Sequence, residues 1–197
     1  MSTFPIFDLS KFANASPDEK KSLGRQVDEI CRQTGFLAIT GHGIPDETIT
    51  RAWNSARAFF DLPVEKKLAV KMRYEGYPYG YSPLQSEALA KSKGEETPPD
   101  IKETFNIGPL EEPHNAAPHT ADEPFADFRY ATNIWPAEPP EFEQAWSNYY
   151  RALGALAGKI MQVFAVALNL PENFFDAAVN DPISAVRALN YPHQNVA

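Results

Sequence analysis

The side chains best suited to chemistry here are four histidines, one cysteine, a run of tyrosines and an arginine near the C-terminus. A strand can grip a metal twice when a histidine and a carboxylate stand two residues apart, because alternate side chains share a face. His42, His114, His119 and His193 are followed at that distance by Ile44, Ala116, Ala121 and Asn195. No such pair exists, so no residue is assigned as a metal ligand or as a catalytic group. His42 lies in a Gly-His-Gly turn, where an imidazole bonded to backbone is expected. His114 and His119 lie in a polar stretch and are expected in solvent. Cys31 has no partner for an internal disulfide and reads as a small buried apolar residue. No glycine-rich phosphate loop of either common spacing is present. Arg187 stands four residues before Tyr191, so the two share a face if the segment is a strand. Its guanidinium could pair bidentately with a carboxylate of a bound molecule, or with a scaffold carboxylate such as Asp181. Tyr77, Tyr79, Tyr81 and Ser82 follow one another on a Gly- and Pro-bearing stretch. They suit a flap over a binding site, a substrate wall, or plain packing on the scaffold.

The elements that must position these residues are visible as periodicities. Phe4 to Leu9 reads as a short strand that Pro5 confines to an edge or a strand start. Ser16 or Asp18 caps a helix through about Cys31, with Leu23, Val27 and Ile30 at helical spacing and Gly35 just past its end. Phe36 to Thr40 is a second strand. Asp46 or Thr48 starts a second helix with Ile49, Trp53, Ala56 and Phe60 as its inward stripe, and Pro63 stops it and opens a short third one. Gly76 to Tyr81 reads as an aromatic turn, and Asp100 to Gly108 as a strand. Glu111 to Pro124 is a polar loop. The longest helix runs from about Pro140 to Ala167, with Phe142, Trp146, Tyr149, Leu153, Leu156, Ile160, Val163 and Phe164 as a core stripe. A short helix from Glu172 to Ala178 and a final strand from Ile183 to Tyr191, broken by Pro192, complete the pattern.

Composition bounds the function classes. Apolar residues make up 43% and charged residues 22%, which is ordinary for a globular domain. A net charge of −8 argues against a general nucleic-acid binder and against docking on anionic lipid. No signal peptide and no run near the ~18 apolar residues of a membrane span is visible, so a cytoplasmic location is expected. Many of the 18 prolines cluster between Pro78 and Pro140, including Pro98-Pro99, so this section reads as a loop-rich excursion.

Six segments, in order, carry a family resemblance. They are Pro5-Ile6-Phe7-Asp8-Leu9-Ser10; Gly35-Phe36 through His42-Gly43-Ile44; Phe59-Phe60-x-Leu62-Pro63-x-Glu65-Lys66; Gly80-Tyr81 with Asp100-x-Lys102-Glu103-x-Phe105; Asn133-x-Trp135-Pro136; and Phe174-Phe175 with Arg187 to Pro192. Together they resemble the N-terminal region of the isopenicillin N synthase-like oxygenases, which use Fe(II) and 2-oxoglutarate. The resemblance implies an α+β chain: a helix-and-strand extension over residues 1–180, then the first strand of a double-stranded β-helix (jelly roll) over 181–197, with most of that β-helix absent. The intact protein would use O2 to hydroxylate, desaturate or cyclise a small molecule. Iron in such enzymes sits on a His-x-Asp/Glu pair and a later histidine, which this chain lacks. The chain alone is therefore expected to be an inactive fragment that binds neither Fe(II) nor 2-oxoglutarate. By the same resemblance Tyr191 points toward the co-substrate, Arg187 toward the substrate, and Tyr81 and Ser82 toward the cavity mouth. Leu189 and Asn190 depart from the plant pattern of asparagine and tyrosine, so the contacts of those two plant residues do not carry over. Two other readings stay open: a non-catalytic interaction domain on the same scaffold, and an all-helical regulator built on the long helix. The long-helix stripe, with Trp53, Phe59, Phe60 and Trp135, is expected to pack partly on absent chain. Exposed, each large side chain forgoes roughly 1.5–3 kcal/mol, so self-association is expected.

Overall fold

A computed structural model describes residues 4–74, 76–84, 101–111, 131–180 and 182–193. His114, His119, Asp181, Pro98-Pro99 and the body of the 111–124 loop lie outside the described residues. In chain order the elements are β1 (Ile6–Asp8), α1 (Ser10–Ala13), α2 (Pro17–Thr34), β2 (Ala38–Thr40), α3 (Asp46–Phe60) and α4 (Val64–Leu68). They are followed by β3 (Gly80–Ser82), β4 (Glu103–Ile107), α5 (Phe142–Ala167), α6 (Asp176–Val179) and β5 (Val186–Asn190). Strands β1 and β2 pair in parallel, and β3-β4-β5 form an antiparallel sheet. An all-helical protein is thereby ruled out. Among the described residues, no helix is long and apolar enough to cross a membrane.

The chain divides into two compact units, residues 1–49 with 148–180, and residues 50–147 with 181–197. In the first, local chemistry sets the main helix. Ser16 and Glu19 form a reciprocal capping box at the start of α2, Pro17 occupies the first turn, and Gly35 closes the helix in the left-handed conformation. Val27 and Ile30 face inward and, with Phe7, Leu9, Phe12 and Val163, form a buried core. Gly24 is required by close approach: a Cβ there would meet Val166 and the Ala167 amide at 3.0 Å.

In the second unit the core is aromatic. Phe105 of β4 packs edge-on against Phe59 and Phe142, each at 4.9 Å between ring centroids, and Trp146 stacks on Phe142 at 5.0 Å. Phe59, Phe142 and Trp146 are thus buried within the described chain and do not wait for a missing partner. The inward line of α3 is Ala52, Ser55 and Phe59, not the expected Ile49, Trp53, Ala56 and Phe60. Trp53 is 66% exposed. One residue is about 100° of helix rotation, and the buried side is the one whose small residues, Ala52 and Ser55, admit close neighbours. The expected aromatic turn also differs, because Gly80-Tyr81-Ser82 is a strand paired with Asn106-Phe105-Thr104. Helix α6 starts later than expected, since residues 172–175 form turns. Finally, α1 was invisible to pattern reading, being one turn long.

Candidate functional site

The three-stranded sheet has two chemically different faces, set by alternation along β4. Glu103, Phe105 and Ile107 point to the aromatic side, opposite Asn190, Ala188 and Val186 of β5, while Tyr81 of β3 lies opposite Phe105. Thr104 and Asn106 point to the other side, in register with Leu189 and Arg187 of β5 and with Ser82 and Gly80 of β3. The same alternation, carried one residue beyond each strand, puts Lys102 and Tyr191 on this second face.

A buried polar network occupies the rim of the aromatic side. The Glu103 carboxylate accepts from Lys67 Nζ at 2.8 Å, from Asn190 Nδ2 at 2.8 Å and from the Tyr81 hydroxyl. Lys67 Nζ donates in addition to the Phe60 carbonyl at 3.0 Å. Burial alone would raise the Glu103 carboxyl, but the bonds from Lys67, Tyr81 and Asn190 outweigh it and hold the group below its ordinary value. Burial first, and the Glu103 bond second, push the Tyr81 hydroxyl well above its ordinary value, so it stays a donor. The network ties together α4, β3, β4 and β5.

The second face is polar and donor-rich. Ser82, Thr104 and Asn106 are 5%, 1% and 2% exposed, and Lys102 is 9% exposed. Arg187 Nε donates to Asn106 Oδ1 at 2.7 Å. That bond fixes the amide, leaving Asn106 Nδ2 buried without a hydrogen-bond partner, as is Thr104 Oγ1. Leu189 and Tyr191 are 47% and 67% exposed.

Of the residues expected at a site, Arg187, Ser82 and Tyr191 come to this one face, and Tyr81 goes to the opposite one. Tyr77, Tyr79 and Tyr81 are buried in the scaffold. The Tyr77 hydroxyl donates to the Thr132 carbonyl at 2.6 Å. His42 is a turn residue: its Nδ1 accepts from the Ile44 amide at 3.0 Å. His193 is exposed. Among the described residues no three His, Cys, Asp or Glu side chains could hold a metal ion. The described donors therefore do not fit iron. Sequence reading missed Lys67, Glu103 and Asn190 as a group, and also Thr104 and Asn106. The alternation of Lys102, Thr104 and Asn106 within an otherwise buried strand was the available signal.

The profile of a family described as the non-haem dioxygenase in morphine synthesis N-terminal region matches residues 4–138. The chain accordingly belongs to the isopenicillin N synthase-like 2-oxoglutarate- and Fe(II)-dependent oxygenase family, of which it matches the N-terminal region. It is 35% identical over 196 residues to the 2-oxoglutarate-Fe(II) type oxidoreductase hxnY of Emericella nidulans, covering 96% of this chain and 53% of that protein. A solved 2OG-Fe(II) oxygenase family protein of Caulobacter crescentus superposes with a TM-score of 0.75 at 26% identity, over 100% of this chain and 59% of the other. JOX2, solved in complex with 2OG, Fe and JA, gives 0.66 at 26% identity, over 97% of this chain and 48% of its own. The chain spans about half the length of the curated relatives it matches.

Proposed function

We propose that these 197 residues are the N-terminal portion of an oxygenase that hydroxylates, desaturates or cyclises a small molecule with Fe(II), 2-oxoglutarate and O2. In this reading residues 1–180 form the N-terminal domain and residues 181–197 begin a double-stranded β-helix, whose continuation supplies the iron ligands. The observation that carries it is the two-faced sheet: one face is sealed by an aromatic core, and the other gathers Ser82, Arg187 and Tyr191 with buried polar groups. Strand β5 is held by β4 in the same sheet, so the scaffold of the first domain would set where the β-helix starts. When bound, the iron and co-substrate would supply the oxidising chemistry. This chain's own residues would orient and bind. The Tyr191 hydroxyl would donate to a co-substrate carboxylate, Arg187 would face the substrate, and Ser82 would line the wall. Tyr81, turned away, would act through Glu103 on the position of β5.

The chain alone should show no turnover. Iron-dependent decarboxylation of 2-oxoglutarate is the test, run on the 197-residue chain and on a polypeptide extended with whatever sequence the gene encodes after Ala197. Robust turnover by the shorter chain contradicts the reading. So does an extension that carries no His-x-Asp/Glu pair. Exposed Leu189 of β5 and Tyr191 just past its end are the surface through which the shorter chain would self-associate. A monodisperse monomer in sedimentation would refute that part.

A further inference from the structure

Among the described strands, β5 pairs with β4 only. An edge strand keeps its place when its residues prefer one set of partners to every shifted set. A shift of β5 by one residue would turn Arg187 and Leu189 toward the aromatic core, so face chemistry excludes it. A shift by two keeps every side chain on its own face. In one direction it would set Asn190 against Phe105, and Pro192, which has no amide hydrogen, against Glu103. In the other it would set Ser184, Val186 and Ala188 against Ile107, Phe105 and Glu103. Phe105 would gain a valine for an alanine, and Ile107 would lose that valine to a serine. No residue of β5 is fully buried, so apolar packing hardly separates this second register from the observed one.

Two polar contacts separate them. Asn190 Nδ2 donates to Glu103 Oε1 at 2.8 Å. Lys67 Nζ and the Tyr81 hydroxyl both go to the other oxygen, Oε2, and tie the carboxylate to the scaffold. On the opposite face Arg187 Nε donates to Asn106 Oδ1 at 2.7 Å. Both contacts join residues directly opposite in the ladder, one on each face and three residues apart along β5. Glu103 and Asn106 are buried. In the shifted register Ala188 and Ala185 would stand opposite them, and an alanine side chain cannot donate. A buried acceptor that loses its donor keeps the full desolvation penalty.

We propose that Asn190 and Arg187 are the positioning residues of β5, choosing between two registers that its apolar side chains leave nearly equal. Glu103 and Asn106 are their fixed counterparts on β4. The choice matters because one step of two residues is about 7 Å along the strand. Such a step would carry Tyr191 that far along β4, away from its row, and displace the chain that follows by the same amount. What the aligned face binds rests on the oxygenase reading; the register itself does not.

The test is disulfide trapping in the 197-residue chain carrying Cys31→Ala, in a glutathione redox buffer that reads each thiol pair as an effective concentration. Thr104→Cys with Leu189→Cys joins direct partners of the observed register, and Thr104→Cys with Arg187→Cys joins those of the shifted one. Direct partners lie within reach, whereas positions two residues off lie about 7–8 Å apart, past the Cα span of about 4.4–6.8 Å that a disulfide accepts. In the native strand the first pair should close more readily than the second. Asn190→Ala should lower closure of the first pair by about tenfold or more, and Lys20→Gln, in the other unit, should leave it unchanged. Both donors are then moved two residues back with Ala185→Arg, Ala188→Asn and Asn190→Ala, adding Arg187→Ala to the first reporter and keeping Arg187→Cys in the second. The second pair should now close more readily. A general loss of stability lowers both pairs and reverses nothing. An order opposite to either expectation overturns the proposal, as does an unchanged first pair in Asn190→Ala. Closure of neither pair in the rearranged strand overturns it too, since the moved donors would then not hold the strand. A reversed order in a protein whose form extended past Ala197 never decarboxylates 2-oxoglutarate would instead sink the oxygenase reading and leave the positioning role in place.

Discussion

Replacing Lys67 by methionine isolates the contribution of the buried charge pair. Its ammonium is 2.8 Å from Glu103 Oε2, with side-chain exposures of 11% and 4%. Methionine keeps the length and apolar stem of the side chain but removes the charge. Glu103 then retains only the Tyr81 hydroxyl and the Asn190 amide as donors. Breaking a buried pair from one side costs about 3–5 kcal/mol, because the remaining charge stays desolvated. That is a large share of a net stability of about 5–15 kcal/mol. For a chain of this length each kcal/mol moves the melting temperature by about 2–4 °C, so Lys67→Met should lower Tm by roughly 6–20 °C. The double variant Lys67→Met/Glu103→Leu removes both charges and should recover much of the loss, since apolar replacements of a whole pair are often neutral. Urea unfolding followed by tryptophan fluorescence, with the two single variants and the double, closes the cycle. If each single variant costs under about 1 kcal/mol and the costs simply add, the pair is not the clamp described here.

Four further outcomes follow from the same structure. Phe59→Ala, at 0% exposure, should cost about 3–5 kcal/mol. Trp53→Ala, at 66% exposure, should cost under about 1 kcal/mol in the same urea assay, and the reverse order would return α3 to its expected inward face. Because the Glu103 carboxyl is held below its unfolded value of about 4.3, its contribution is present above that pH and is lost as pH falls through the folded value. The urea midpoint of the wild type should therefore fall more steeply on acidification than that of Glu103→Gln; parallel curves would refute the assignment. At the alkaline end the raised Tyr81 hydroxyl contributes below its unfolded value of about 10 and loses that contribution as pH rises toward the folded value, a limb that Tyr81→Phe should flatten. Gly41→Ala should cost about 2 kcal/mol or more in the urea assay, because φ is +63° and the new Cβ would collide with Asp8 Oδ1; a neutral effect would show that this turn relaxes freely.

What could be read from the sequence was what is decided locally. Helix α2 was legible because Ser16, Pro17, Glu19 and Gly35 specify its ends within a few residues of themselves. Helix α5 was legible because its apolar period persists for 26 residues. Strand β3 was not, since three residues carry too little alternation, and its identity comes from pairing with β4, about twenty residues on. The inward side of α3 was misread because helical periodicity fits two stripes one residue apart, and the neighbours select the one with Ala52, Ser55 and Phe59. The cluster around Glu103 had no signature at all, because its members come from positions 67, 81, 103 and 190. For the candidate site, Arg187, Ser82 and Tyr191 were named one by one, and the sheet register unites them. Thr104 and Asn106 went unnoticed because the segment was read only as a strand, with no face assigned to its alternate residues.

The Asn190 contact with Glu103 also limits how this chain can change over generations. Side chains on β5 are assigned to a face by odd or even position, and Asn190 pins that count to a carboxylate inside the sheet. Deleting a single codon before Asn190 would flip the upstream part of the strand, sending Arg187 toward the aromatic core and Val186 or Ala188 outward. Deleting two codons preserves the parity. Lineages of this protein should therefore gain or lose residues in this strand by pairs, while the loop before Val186 absorbs odd changes.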